Sequence, residues 1–473
     1  MVWRIAAVVL GMSVASASLA QDLLIRQVTP IDPVLGALEI QDVMIRGGKI
    51  AAMGGSDGAR RSEGRGEGAT INRNGDQKSK VDELDGRGKF LIPGLWDMHV
   101  HFTYDARLTT PMAALFTRYG ITSVRDTGGV LEKVLAVQEE LAANSTAPRL
   151  YFSGPLLDGE RVVYDGHGVP ELGVAVPTVE EAYRRVDELA AAGASFIKIY
   201  EMVSPEVFHA LAERAAIHGL PIAAHVPLSM RAVDAGPRVD SIEHMRNLEF
   251  ACAAESDVLH RERQDSLSAK PETSNYALRA SIHKAQRDRA FSKQDPERCE
   301  ALLSALRDTI QVPTIRLVAM TQFPPFESPG WEEALNQLPA ALKAEWQRAP
   351  EFMDPRTFRS SGEWALDFVR KLHAADVPIG AGTDTPIGWS VPGYSLHREL
   401  QILTRAGLSN LNALAAATVV PAQFLGRQDR DGRLAPGYTA DLVLLSANPL
   451  EDIANTLKID EVLIGGVRAL PGD

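Results

Sequence analysis

The sequence predicts an α/β protein: a (β/α)8 TIM barrel with a small β domain made from the N- and C-terminal segments. Three observations lead there. Eight short, apolar, strand-prone runs recur between residues 92 and 382, with helical patterns between most of them; this alternation belongs to parallel sheets with helical crossovers. No Gly-rich dinucleotide fingerprint opens a helix after a strand, which disfavours the open doubly wound sheet. β-rich segments flank the alternation at both ends and most simply pair with each other. The 473 residues exceed one compact core of ordinary size and fit a large barrel with an appendage.

Residues 1–20 read as a cleaved secretory signal: Arg4, an apolar run from Ile5 to Val14, then Ser18 and Ala20 in a small-x-small pattern. The run is short for a bilayer span. Residues 21–90 supply the first part of the β domain, with strands expected at Leu23–Thr29, Val43–Ile50, Ala51–Gly54 and Val81–Leu84. A polar, Gly-, Arg- and Ser-rich insertion at about 60–80 lies among them. The barrel spans 91–428. Its expected strands are Ile92–Val100, Ile121–Arg125, Arg149–Ser153, Phe196–Tyr200, Ile222–His225, Ser241–His244, Thr314–Val318 and Ile379–Gly382. Helical patterns cover Pro111–Tyr119, Leu131–Ala143, Val179–Ala191, Pro205–His218 and Ser360–Ala374, with Gly at several helix ends. A charged, helix-prone excursion, Phe250–Gln311, separates the sixth and seventh strands and reads as a solvated helical excursion, as a lid, or as both. Short helices at Leu411–Thr418 and Pro421–Leu425 precede the last β-rich segment, 429–473.

Hydrophobic residues make up 45% of the chain and the net charge is −12. Disorder is excluded, and nucleic acid or an anionic membrane surface is disfavoured as the main partner. The two cysteines, Cys252 and Cys299, lack metal-site spacing; they suit either a disulfide in an exported protein or two free thiols.

The chemistry starts in FLIPGLWDMHVHF, Phe90–Phe102. Residues two apart on a strand share a face, so His99 and His101 project together as a chelating pair would. Lys198 lies in the fourth strand; His225, His244 and Asp384 end the fifth, sixth and eighth. In a barrel these strand ends converge on one mouth. Singly, each has a plainer reading: a histidine that packs, an aspartate that caps a turn. Lys198 is the telling residue, because a bare ammonium on a strand buried on both faces costs several kcal/mol. Either Glu201 or Glu243 pairs with it, or it is modified to an anion that bridges two cations.

These pieces resemble the metal-dependent amidohydrolase superfamily, in particular its imidazolonepropionase-like and prolidase-like branch with a carboxylated lysine. The resemblance runs through LIPGLWDMHVHF, GITSVRDTGG, SGPLLDG, ASFIKIY, LPIAAHVPLS, SIEHM, VPIGAGTDTP, PGYSLHREL, AATVVPAQFLG and GRLAPGYTADLVLLSANPLEDI. It implies that the terminal β domain is a β-sandwich and that two divalent metal ions are bound. By position, His99, His101 and Asp384 hold one, His225 and His244 the other, and carboxylated Lys198 bridges them. Zinc fits the ligand types best, with manganese, cobalt, nickel and iron compatible. Asp384 then serves as base and acid around a metal-bridging hydroxide. Tyr200 helps polarise a carbonyl or packs the barrel, and His167, in YDGHGVP, contacts substrate or merely occupies its loop. The implied activity is hydrolysis of a C–N bond in an amide or small, dipeptide-like molecule by a periplasmic or secreted protein with no membrane span after signal cleavage. Lactone, ester or phosphotriester hydrolysis on the same centre is the alternative, and a non-catalytic binding protein fits an intact ligand set less well. Arg246 and Arg161 are available to a substrate carboxylate, and self-association is compatible with the composition.

Overall fold

The computed structural model describes residues 22–55, 81–269, 273–353 and 359–469. The signal pattern and the polar insertion lie outside the described residues. The fold is α/β: one sheet built from both chain ends, and two curled parallel sheets flanked by helices.

The terminal sheet has nine strands. Leu23–Asp32 sits near its middle, antiparallel to Gln41–Arg46 and parallel to Asp82–Asp85 and Phe90–Pro93. Leu442–Leu445 from the far end of the chain pairs antiparallel with Phe90–Pro93 and carries Ile459–Ile464 on its other edge. Ile25, Val43, Ile45, Leu91, Leu442 and Leu444 form its buried face. Asp32, fully buried, accepts from Arg433 and from the backbone N–H of Leu434. Burial opposes its charge, but Arg433 and three backbone N–H groups overcome this and hold the carboxyl below its ordinary range.

The strand expected over Ile92–Val100 is two strands. Phe90–Pro93 belongs to the terminal sheet, and Leu95–Val100 starts the parallel system as β1. Gly94 makes the crossing: a Cβ there would lie 2.2 Å from Thr122 Oγ1, so no side chain fits. β1 pairs with β2 (Ile121–Asp126), which pairs with β3 (Arg149–Phe152). A second sheet runs β4 (Ile197–Ile199), β5 (Ile222–Ala224), β6 (Ser241–Glu243) and β7 (Ile310–Val312), with Leu156–Asp158 beside β4. Ser195 N–H donates 2.9 Å to Phe152 O, linking the two sheets at one side.

At the other side the segment 378–385 lies between β7 and β1. Gly380 N–H reaches Gln311 O at 2.9 Å, Met98 N–H reaches Ala381 O at 2.9 Å and Asp384 N–H reaches His99 O at 2.7 Å. The eighth expected strand is therefore an extended segment making isolated parallel bridges rather than a regular strand. The seventh is displaced: the strand is Ile310–Val312, and Ile315–Val318 is a helical turn. Thr314 breaks the strand at φ +42°, and the buried Glu399 carboxylate accepts the N–H groups of Ile315 (2.8 Å) and Arg316 (2.7 Å), which nucleates the turn. β-branched residues suggested a strand, and a carboxylate 84 positions away decided otherwise.

Helices cover the parallel strands as their apolar spacing directs. Val179–Ala191 starts at Thr178, whose Oγ1 accepts from Glu181 N–H, and buries Ala182, Val186 and Leu189. Pro205–His218 starts on Ser204 with Pro205 in the first turn and stops at Gly219 in the left-handed conformation. Its Phe208 is fully buried, a contribution of about 2–3 kcal/mol. The excursion contains Ser256–Ser268, Asn275–Ser292 and Pro296–Ala305, and a Cys252–Cys299 disulfide ties its two ends. No helix of the described residues is long and apolar enough to cross a membrane.

Candidate functional site

His99 lies near the end of β1 and His101 just beyond it, with Val100 between them turned into the core. Asp384, in the segment that crosses to β1, places Oδ1 3.3 Å from His99 Nε2 and 3.2 Å from His101 Nε2. The three ligand atoms lie within 4.8 Å of one another. Asp384 is held at φ +60° and His244 at φ +58°, a conformation L-residues rarely adopt.

His244 follows β6 and stands 4.5 Å, ring to ring, from His99 and 4.9 Å from His225, which follows β5. Lys198, in β4, and Tyr200, just past it, complete the ring; Tyr200 stacks 4.5 Å from His225. All seven line one cavity of ≈ 350 Å³.

Each histidine is fixed by its Nδ1. His99 Nδ1 is 2.6 Å from Glu243 Oε2, His101 Nδ1 is 2.9 Å from Gly128 O, and His225 Nδ1 is 2.8 Å from Glu201 Oε1. His244 Nδ1 is 2.5 Å from Thr314 Oγ1, whose own hydrogen goes to Pro313 O. Carbonyl and carboxylate oxygens only accept, so all four Nδ1 atoms carry hydrogen and Nε2 is left to face the cavity. That is the tautomer a metal-binding imidazole needs. Burial holds the His225 and His244 imidazoles neutral, well below the ordinary histidine range. Around His101, burial disfavours charge, but Asp384 outweighs it and raises the imidazole. Three acceptor atoms converging at Asp384 repel one another unless a cation or proton sits among them.

Lys198 Nζ is buried and has no hydrogen-bond partner among the described residues. The expected ion-pair partners are engaged elsewhere. Glu243 accepts from Arg125 Nη2 at 2.6 Å, from Ser241 Oγ at 2.7 Å and from His99. Glu201 accepts from Arg279 at 2.7 Å and faces His225 and His283. Burial depresses the ammonium from 10.5 to about 7, so a substantial share is free amine near neutrality.

The sequence-predicted residues divide clearly. His99, His101, Lys198, His225, His244, Asp384 and Tyr200 face one cavity, and Arg246 lines it too. His167 does not line it. Its N–H donates to Asp165 Oδ1 in a tight local turn, and the residue is exposed; Tyr164 of the same loop reaches the cavity instead. Arg161 does not line it either, since its guanidinium bonds Asn275 Oδ1 and Thr273 O at the start of the Asn275–Ser292 helix. Sequence reasoning missed Arg125, Thr314, Arg279 and His283, and it treated Glu201 and Glu243 as partners of Lys198 rather than of histidines. Glu243, adjacent to His244 in SIEHM, gave the available signal: a carboxylate beside a candidate ligand on a fully buried strand.

Residues 365–469 match the Amidohydrolase family. Among curated proteins, a dihydroorotase of Pelotomaculum thermopropionicum is 31% identical over 180 residues, 33% of this chain and 37% of that protein. An imidazolonepropionase of Deinococcus deserti is 40% identical over 89 residues, 19% of this chain and 22% of that protein. The matches thus span well under half of these relatives. Among solved structures, a Xaa-Pro dipeptidase crystallised with methionine in its active site superposes with a TM-score of 0.64 at 20% identity, covering 95% of this chain and 99% of that one. The fold is α/β, and His99, His101 and Asp384 form a group that could hold a metal ion. The match to the amidohydrolase family is carried by residues 365–469, and the fold over nearly the whole chain is that of the solved dipeptidase.

Proposed function

We propose that this protein is an exported, metal-dependent amidohydrolase that cleaves a carbon–nitrogen bond in a small amide or peptide. We read the linked parallel sheets as a (β/α)8 barrel over residues 91–428, and the terminal sheet as a β-sandwich contributed by 21–90 and 429–473. Export is supported by the N-terminal signal pattern and by a disulfide that suits an oxidising compartment.

The observation that carries the reading is Lys198: a buried, unpartnered amine among four imidazoles whose Nε2 atoms face one cavity. The donor set fits two divalent cations. His99, His101 and Asp384 would hold one and His225 and His244 the other, zinc suiting nitrogen and carboxylate donors. The free amine of Lys198 can add to carbon dioxide, forming an N–C bond and losing a proton, which turns an orphan cation into the bridging anion such a pair favours. When bound, the cations supply Lewis-acid polarisation and acidify water.

The chain's own groups do the rest. Asp384 Oδ accepts the proton released as water oxygen adds to the carbonyl carbon, and returns it to the nitrogen as the C–N bond breaks. The Tyr200 hydroxyl, kept protonated by burial, is in the cavity to donate to the carbonyl oxygen. Glu243 and Glu201 hold the imidazoles in register. A cavity of ≈ 350 Å³ suits a substrate of dipeptide size.

The test is one preparation examined three ways: metal stoichiometry, the mass of the Lys198 peptide under native conditions, and turnover on dipeptides, acyl amino acids, lactones and phosphotriesters before and after chelation. We expect two metals, a carbon dioxide increment on Lys198 and chelator-sensitive amide cleavage. Absence of stoichiometric metal together with wild-type behaviour of Lys198→Ala would overturn the reading.

A further inference from the structure

The Asn275–Ser292 helix presents Arg279, His283, Arg287 and Phe291 at intervals of four, so all lie on one face. The first two are spent on Glu201: Arg279 Nε and Nη2 donate to its Oε1 at 3.0 and 2.7 Å, and His283 Nε2 lies 2.7 Å from its Oε2. Arg287, one turn further along, has a single long contact, Nε to Glu249 Oε1 at 3.3 Å. Arg246, from the turn after β6, approaches it from the other side. Its Nε is buried without a hydrogen-bond partner, 3.5 Å from a Glu201 oxygen that already serves Arg279. Arg263 stands behind them, stacked 3.5 Å over Phe250, with its Nη2 also buried and unpartnered.

Four guanidiniums thus share two carboxylates, Glu201 and Glu249. Burying a cation without its counterion is costly, so such a surplus is expected to be met by an anion brought from outside. Arg246 and Arg287 are the two with both spare donors and a place in the cavity wall. Their mutual repulsion also lowers Arg287, after burial the main cause of a drop to about 10. Beyond them the wall becomes apolar: Phe291 and Trp364 lie 5.5 Å apart ring to ring, and Phe368 backs Trp364 at 4.7 Å.

We propose that Arg246 and Arg287 form a carboxylate subsite, and that the Phe291–Trp364 wall takes the neighbouring side chain. The substrate is then a dipeptide or N-acyl amino acid with a free C-terminal carboxylate and an apolar C-terminal side chain. This rests on the amide-hydrolase reading and specifies its substrate. The excursion between β6 and β7 supplies the recognition, while the parallel strands supply the reacting centre.

The experiment compares glycyl-L-phenylalanine with glycyl-L-phenylalaninamide on the full-length, metal-loaded protein. Binding of L-phenylalanine and L-phenylalaninamide is followed in parallel by calorimetry. Wild type should favour the free acid in kcat/KM by roughly 10- to 100-fold, chiefly through KM, as a lost charge-assisted hydrogen bond predicts. Arg287→Met should cut that ratio about tenfold, and Arg287→Lys should retain part of it. A wild-type ratio near one, which needs no variant and so no folding control, overturns the subsite. So does a ratio unchanged in both Arg287→Met and Arg246→Met. If neither peptide is cleaved but phenylalanine still binds with an Arg287-dependent preference over its amide, the subsite stands and the hydrolase reading falls.

Discussion

The two halves of the candidate centre are held in different ways. His99, His101 and Asp384 contact one another directly, at 3.2–3.3 Å through a single oxygen, and the two histidines lie two residues apart at the end of β1. His225, His244 and Lys198 come from three strands, and Lys198 Nζ has no hydrogen-bond partner among the described residues. The first half shares one carboxylate oxygen, with His99 oriented by Glu243 and His101 by the Gly128 carbonyl. In the second, His244 is oriented by Thr314 and His225 by Glu201, which the excursion helix holds through Arg279 and His283. His225 is thereby tied to the excursion helix, whereas His99 and His101 are not.

Four measurements would break or sharpen this contrast. Removing the shared oxygen has the largest effect: Asp384→Asn should lower kcat by about 10³–10⁴-fold, with loss of metal from the first half, measured by turnover and metal count. Next, Cys252→Ser should destabilise the protein by about 2–4 kcal/mol in denaturant titration, since the bond closes a loop with a sequence separation of 47. If the excursion holds His225 through Glu201, metal loss in this variant should begin with the ion assigned to His225. Third, Glu201→Gln and Glu243→Gln should each weaken metal retention by roughly 10–100-fold. The first should release the ion assigned to His225, the second the ion assigned to His99; identical metal patterns in the two variants would erase the contrast.

The smallest effect is a pH slope in chelated, bicarbonate-free protein. Lys198 is depressed to about 7 when folded and ordinary at 10.5 when unfolded. Below pH 7 both states hold the proton and the burial penalty is present in full. Between 7 and 10.5 only the folded state releases it, so stability should rise with pH, by at most about 1.4 kcal/mol per unit. Lys198→Met should lack this rise, and a wild-type protein with the same flat profile would mean that Lys198 finds a partner.

Six proposed ligands were legible because each lies in or just beyond an apolar extended run with a local signature: an HxH pair, a lysine inside FIKIY, an aspartate in GAGTDTP. Period-two alternation and burial on both faces are short-range facts that a sequence displays. The groups that orient those ligands were not legible. Glu243 engages His99 across 144 positions and Glu201 meets His283 across 82, and only the closed fold brings them together. The same cause moved the seventh strand, where the Glu399 carboxylate turned Ile315–Val318 into a helical turn. His167 was singled out for its glycine-flanked loop, yet one aspartate two residues before it turns that backbone locally, and Tyr164 takes the cavity position. Composition fixed a globular protein and strand-helix alternation fixed its class, but the division of β1 from the terminal strand at Gly94 depended on how closely Thr122 approaches.

The Asp32–Arg433 pair has a consequence in time. Its partners lie 401 positions apart. At synthesis rates of 5–20 residues per second, Asp32 waits roughly 20–80 s for its arginine. Through that interval the outer edge of Phe90–Pro93, which Leu442–Leu445 covers in the finished sheet, is open to other chains.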